Sequence, residues 1–476
     1  MLSGWYGRWM TRWETDLTTR DTNRIVRPLE WGFDWLADFS DAGRVPGETR
    51  GQGLGLPSRS DAAAVMPGRP RVKTLDYEPL DSVGPLPLQT QSLSRGLGRC
   101  YSEKAAGGTA LAEQNGDGAG AMIGAEGEDS AGSADQARMI ALNEEIVRRS
   151  EEFYGYAPPQ DFRIERRHPQ LFPTNVRPET LAQEQEMLRQ AASGELEEAD
   201  FLRFTSPVRT RYPENDQVNA RWYPAPESGK RAGRPRQAII VMPQWNSDAI
   251  SHTLLCSLFN RFGISALRLS MPYHDIRRPA ELERSDYATS ANIGRTISAC
   301  RQAVVDIRSC IDWLETQGYT QFGVLGTSLG SCYAFIAAAH DPRLRICAFN
   351  HASTWFGDVV WTGQSTRHVR AAFEEAGLTQ DQVRQAFLGV SPMSYMERFA
   401  ANRRRVLVVH ATYDLTFPLQ YSLDVLANFN RCGIDYVSKV LPCGHYTTGE
   451  WPYKYLDGWY LGSFVYQAFK RLAERG

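Results

Sequence analysis

The chain has 476 residues, 42% hydrophobic and 23% charged, and a formal net charge of −2. That is ample for a large core, and the near-neutral balance offers no electrostatic footprint for nucleic acid. No apolar run is long enough to span a membrane, and the N-terminus lacks the apolar core and cleavage site of a secretory leader. The eight cysteines show no metal-binding spacing and mostly sit in apolar runs, which predicts buried thiols and a reducing, cytoplasmic setting.

Residues 1–40 are unusually aromatic. Leu2, Trp5, Trp9, Trp13 and Leu17 recur along one helical face, with Arg8, Arg12 and Glu14 elsewhere. Two readings follow: an amphipathic arm that packs back on the body of the protein or closes over its pocket, which the interleaved acids favour, or a helix making peripheral membrane contact. Residues 41–136 are rich in Gly, Ser, Pro and Ala and read as a low-complexity, disordered linker. Residues 137–200 regain helical periodicity through Met139, Ile140, Leu142, Ile146 and Phe153, a helical preface with a second polar helix over 178–196. Arg163 to Arg167 reads as solvated basic surface.

From Phe201 onward the pattern changes. Phe201–Val208 and Gln217–Tyr223 alternate like an opening hairpin, and Gln237–Met242 is a continuous apolar strand. A helix over 251–262, a strand over 264–270 and a long helical stretch over 287–317 follow. The strand-type run at Gln321–Leu325 then enters Gly326-Thr327-Ser328-Leu329-Gly330, and Cys332, Phe335, Ile336 and Ala339 continue at helical spacing. Strand, sharp turn with serine at its apex, and helix is the setting in which G-x-S-x-G carries chemistry. Leu344–His351 is a further strand. Residues 352–404 break the alternation with scattered aromatics, Arg405–His410 is another buried strand, and Asp414 follows it. A helix over 421–432, a last strand over 435–441, a loop carrying His445 and a closing helix over 451–472 complete the chain, with Trp459, Phe464, Phe469 and Leu472 expected on the closing helix's inner face.

Ser328, Asp414 and His445, in that order and each past a strand end, make residues 201–476 resemble an α/β-hydrolase, with the dienelactone-hydrolase and prolyl-oligopeptidase-like branch the nearest. A weaker likeness runs to abhydrolase-domain proteins. The resemblance implies a mostly parallel eight-stranded sheet with helices on both faces and a helical cap over 352–404. It implies Ser328 as nucleophile, His445 as base and Asp414 as its orienting acid. The oxyanion hole falls to the N–H of Leu329 and that of Trp245 or Gln244, although Pro243-Gln244 stands where the family has His-Gly. Trp355, Phe356 and His274 are candidates for substrate contact; His351, His368 and His410 read as structural neighbours. The expected activity is cleavage of a small-molecule or lipid ester through an acyl-enzyme, without cofactor or metal. The same triad would serve a peptidase or thioesterase, though a prolyl-oligopeptidase-type peptidase normally carries a propeller, for which this chain has no repeating strands. A non-catalytic binding protein on the same fold is the rival of another class.

Overall fold

Strand β4 (Gln237–Met242) shows how the core is divided. Ala238, Ile240 and Met242 face one apolar cluster, and Ile239 and Val241 face another. Successive side chains of a strand point to opposite faces, so an unbroken apolar run belongs in a sheet covered on both sides. In the computed structural model, residues 2–19, 24–41, 126–169, 182, 185–186, 189–190, 192–193, 197–226 and 235–474 are described. Contacts group Met1–Pro67 with Ala134–Gly476 as one unit; the other is Gly68–Ser133, described only over its last eight residues, which are helical.

The sheet has the strand order β1-β2-β3-β5-β4-β6-β7-β8-β9. Its members are β1 (Arg163–Arg167), β2 (Ala199–Thr205), β3 (Gln217–Tyr223), β4, β5 (Ser265–Leu269), β6 (Gln321–Thr327), β7 (Leu344–Asn350), β8 (Arg405–Ala411) and β9 (Tyr436–Leu441). Pairings from β5 through β9 are parallel, and β1, β2 and β3 join antiparallel. This is the α/β-hydrolase arrangement, with one strand more than the eight expected. The addition is Arg163–Arg167, whose backbone pairs with β2 while its side chains stay exposed or half-buried, so the basic surface is also an edge strand. An edge strand needs only one side of its backbone paired and tolerates charged side chains, so its composition concealed it.

The helices used below are α1 (Leu2–Thr19), α2 (Glu126–Arg148), α3 (Thr253–Arg261), α4 (Ile293–Thr316), α5 (Leu329–His340), α6 (Phe356–Thr362), α7 (Arg367–Glu375), α8 (Gln380–Ala386), α9 (Leu419–Arg431) and α10 (Tyr453–Ala473). The stretch read as a linker over 41–136 lies outside the described residues except Asp41 and residues 126–136, which are helical; most of 178–196 also lies outside. Between β7 and β8 the chain makes α6, α7 and α8, which bring Phe356, Phe373 and Phe387 together in the core. On α10 the inner stripe is Leu461, Val465, Ala468 and Phe469, while Trp459 is 68% exposed, contrary to expectation. A step of four, three and one residues marks one helical face, and Trp459 falls off it.

Helix α1 packs on the body. Met10, Glu14, Leu17 and Thr18 are buried, and Tyr6 and Trp13 lie half-buried against Tyr413 and Tyr453. Trp5 and Trp9 therefore share the outer face with Arg8 and Arg12 instead of opposing them.

Candidate active site

The turn between β6 and α5 sets Ser328 at the carboxyl end of the sheet with φ 56° and ψ −121°. A positive φ is strained for any residue with a side chain, and such strain gathers at functional sites. It is held by the Ser328 N–H, which donates to the Asn350 carbonyl at the end of β7 at 2.8 Å. Gly330 lets α5 start directly against β4, since a Cβ there would overlap the carbonyls of Met242 and Pro243.

Three side chains from distant loops meet at this turn. Ser328 Oγ lies 2.9 Å from His445 Nε2, and His445 Nδ1 lies 2.8 Å from Asp414 Oδ2. The acid partner fixes the tautomer: Nδ1–H donates to the carboxylate, which leaves the Nε2 lone pair facing the serine hydroxyl. Asp414 is itself fixed, because its Oδ1 accepts the N–H groups of Thr416 and Phe417 at 2.8 and 2.6 Å. The Phe417 ring stacks on His445, with centroids 5.1 Å apart and planes 12° apart. Burial alone would raise the Asp414 carboxyl, but the facing His445 charge and the hydrogen bonds from His351 and His445 outweigh it and hold the group below the usual carboxylate range. Burial would likewise lower His445, and Asp414 and Glu14 overcome it and raise the imidazole.

Sequence reading missed one member of this group. His351, directly after β7, donates Nδ1–H to the same Asp414 oxygen at 3.0 Å. Its ring is 4.4 Å from that of His445, and its Nε2 is buried with no hydrogen-bond partner among the described residues. The signal available was its place: a polar residue at the carboxyl end of the strand beside the elbow strand. His351, Asp414 and His445 offer ligand-type atoms within 4.8 Å of one another, the one such group among the described residues. Triad hydrogen bonding accounts for that closeness.

Across the elbow runs the loop after β4. Leu329 opens α5, where the first N–H groups have no intrahelical partner. Gln244 Oε1 is buried and without a hydrogen-bond partner among the described residues. Trp245 donates Nε1–H to Ser285 O at 2.9 Å and stacks on His368 of α7, so the loop is pinned to that helix. His274 is fully buried. Its Nδ1–H donates to Pro272 O at 2.8 Å and its Nε2 accepts the Asn246 N–H at 3.0 Å. Both nitrogens are taken, so His274 braces the loop rather than reaching a substrate. Phe356 is also displaced from the expected role: it is buried against Phe387. Trp355 is half-buried beside the Arg384 guanidinium. Burial pushes the Cys443 thiol up to about 12, which removes it as a rival nucleophile.

Residues 300–447 match the prolyl oligopeptidase family. An 83-residue stretch is 37% identical to an uncharacterized 31.7 kDa protein of Escherichia coli; it covers 17% of this chain, and the chain spans 28% of that protein's length. Among solved structures, acetyl xylan esterase 1 from a Thermoanaerobacterium species is similar with a TM-score of 0.45 at 14% identity, over 69% of this chain and 93% of that one. The acylaminoacyl peptidase of Pyrococcus horikoshii is similar with a TM-score of 0.43 at 11% identity, over 65% of this chain and 48% of that one.

Proposed function

We propose that this α/β-hydrolase is a serine hydrolase that cleaves carboxylic esters through an acyl-enzyme. The observation that carries the reading is the continuous hydrogen-bonded line from Ser328 Oγ through His445 to Asp414. Along it, His445 Nε2 takes the hydroxyl proton as Ser328 attacks a carbonyl, and Asp414 stabilises the imidazolium. The N–H groups of Leu329 and of Trp245 or Gln244 receive the oxyanion. The imidazolium then returns its proton to the leaving oxygen, and a water activated by His445 releases the acid.

Ester cleavage is favoured over peptide cleavage by the architecture. Every named strand among the described residues lies in the single sheet, which leaves none there to build a propeller. The aromatic cap supports an apolar acyl group. The free described cysteines support a reducing, cytoplasmic setting, and no described helix is long and apolar enough to cross a membrane.

A fluorophosphonate probe should label the wild type and not Ser328→Ala. Nitrophenyl esters of graded chain length should then turn over, and peptide anilides should not. Labelling that survives the substitution sinks the Ser328 assignment; anilide turnover matching ester turnover sinks the ester preference.

A lipid ester at a membrane surface is a second reading, favoured by exposed Trp5 and Trp9 alternating with exposed Arg8 and Arg12 and by exposed Trp451, Tyr455 and Trp459. Co-sedimentation with anionic vesicles should weaken in Trp5→Ala/Trp9→Ala, and equal sedimentation of both forms removes it.

A further inference from the structure

The N-terminal helix places a carboxylate beside the catalytic loop. Glu14 is fully buried, and the groups acting on it are Tyr446, Thr447, His445 and Asp414, with no Arg or Lys among them. Its Oε1 accepts the Tyr446 N–H at 2.8 Å, and its Oε2 accepts the Thr447 N–H at 2.9 Å and the Thr447 hydroxyl at 3.0 Å. Thr447 Oγ in turn accepts the Gly444 N–H at 2.6 Å. The residues on both sides of His445 are thus tied, directly or through one hydroxyl, to one side chain more than 400 positions away. Gly444 makes the approach possible, because a Cβ there would overlap the Glu14 carboxylate. Helix α1 grips the same region twice more: Tyr6 OH donates to Pro442 O, and its ring packs on Tyr413, the neighbour of Asp414, at 5.8 Å.

We propose that Glu14 is a positioning residue for His445, so that the N-terminal arm is a working part of the catalytic site rather than a cover for it. This rests on His445 acting as the base for Ser328. Two effects are joined in the one carboxylate. Its hydrogen bonds fix the turn that aims the imidazole. Its charge, buried without a cation, favours the imidazolium that forms when the serine proton is taken. The titratable groups facing His445 are Asp414 after β8, His351 after β7 and Glu14 on α1, with Cys443 and Tyr446 flanking it on its own loop. Asp414 and Glu14 both raise the imidazole, and burial of Glu14 raises its own carboxyl against the lowering by the Tyr446 and Thr447 N–H groups.

The test uses the full-length protein and Glu14→Gln, which keeps the shape, loses the charge and turns one of the two acceptor oxygens into a donor, beside Leu17→Ala, which loosens the same helix at a buried apolar residue that makes none of these hydrogen bonds. The imidazole of His445 is titrated by NMR on carbon-13-labelled histidine, and kcat and KM for a nitrophenyl acetate are followed against pH. In Glu14→Gln the His445 pKa should fall by about half a unit or more. Its kcat should drop roughly tenfold to a hundredfold with KM little changed, and the acid limb should move to lower pH. Leu17→Ala should leave the imidazole titration where it is. An unmoved His445 titration in folded Glu14→Gln overturns the proposal, as does an equal shift in Leu17→Ala. The NMR reading stands without turnover, so an inactive wild type would defeat the hydrolase reading separately.

Discussion

His351 and His445 hydrogen-bond the same oxygen of Asp414, at 3.0 and 2.8 Å, so the triad acid carries two imidazoles rather than one. Burial first, then the neighbouring His445 charge, lower the His351 pKa. His351 is therefore a neutral donor that holds Asp414 while leaving the mobile charge to His445. A hydrogen bond to a charged group contributes roughly 1.5–3 kcal/mol, or about ten- to a hundredfold in rate if it is all felt in the transition state. His351→Phe should lower kcat within that range. His351→Asn should recover much of it, because its Nδ2 occupies the place of the imidazole Nδ1 and asparagine accepts the φ of 55° found there. Steady-state kinetics on both variants checks this, and equal losses would reduce His351 to packing.

Asp414→Asn should leave the fold intact and lower kcat by about 10⁴-fold, since an amide no longer selects the Nδ1–H tautomer. The wild-type acid limb should lie above the ordinary imidazole range. The raised His445 must lose its proton before it accepts one from Ser328, so activity grows as pH rises through that pKa. A limb at or below the ordinary value would contradict the raised pKa.

The triad was legible because each member follows a strand whose apolar run is unmistakable, and chain order does the rest. Most strand limits lie within one or two residues of those expected, for the same reason. What escaped notice acts at a distance or against composition. Glu14 looks like an ordinary polar position on an amphipathic helix until the loop around His445 is folded over it. His274 stands on a loop at the sheet end, where loop structure is the main expectation and substrate contact the lesser one; that its two nitrogens serve Pro272 and Asn246 is a matter of loop geometry. The helical wheel put Trp5 and Trp9 inward because tryptophan is apolar, but the inner face of α1 is shaped by Met10, Glu14 and Leu17.

His274 leads to a distinct prediction. Burial lowers its imidazole pKa to about 4, so it is neutral throughout the working range and holds the Asn246 N–H as an acceptor. His274→Ala frees the loop that carries Trp245 and should lower kcat roughly tenfold, with the acid limb unmoved because the titrating base is still His445. A shifted limb would mean that His274, and not only His445, contributes to the profile.

Asp457 on α10 is half-buried, and its Oδ2 accepts from the side chain of Asn350 at 3.0 Å, the residue whose carbonyl holds the Ser328 N–H. Burial pushes its carboxyl up from 3.8 to about 7, although the Asn350 amide lowers it. Between those two values the folded chain keeps a proton that the unfolded chain has lost, so stability falls as pH rises through that window and is level above it. A difference of about three units corresponds to roughly 4 kcal/mol as an upper figure. The Oδ1 atoms of Asp457 and Asn350 are both buried without a hydrogen-bond partner among the described residues. Asp457→Asn keeps an acceptor for Asn350 Nδ2 and leaves no carboxylate to be desolvated. The variant should melt higher than wild type at pH 8, and the gap should close toward pH 4, where the native carboxyl is protonated in the fold and half-protonated in the unfolded chain. Thermal melts across that range decide the matter: a variant less stable than wild type at pH 8 would show that the carboxylate is held charged by the site after all.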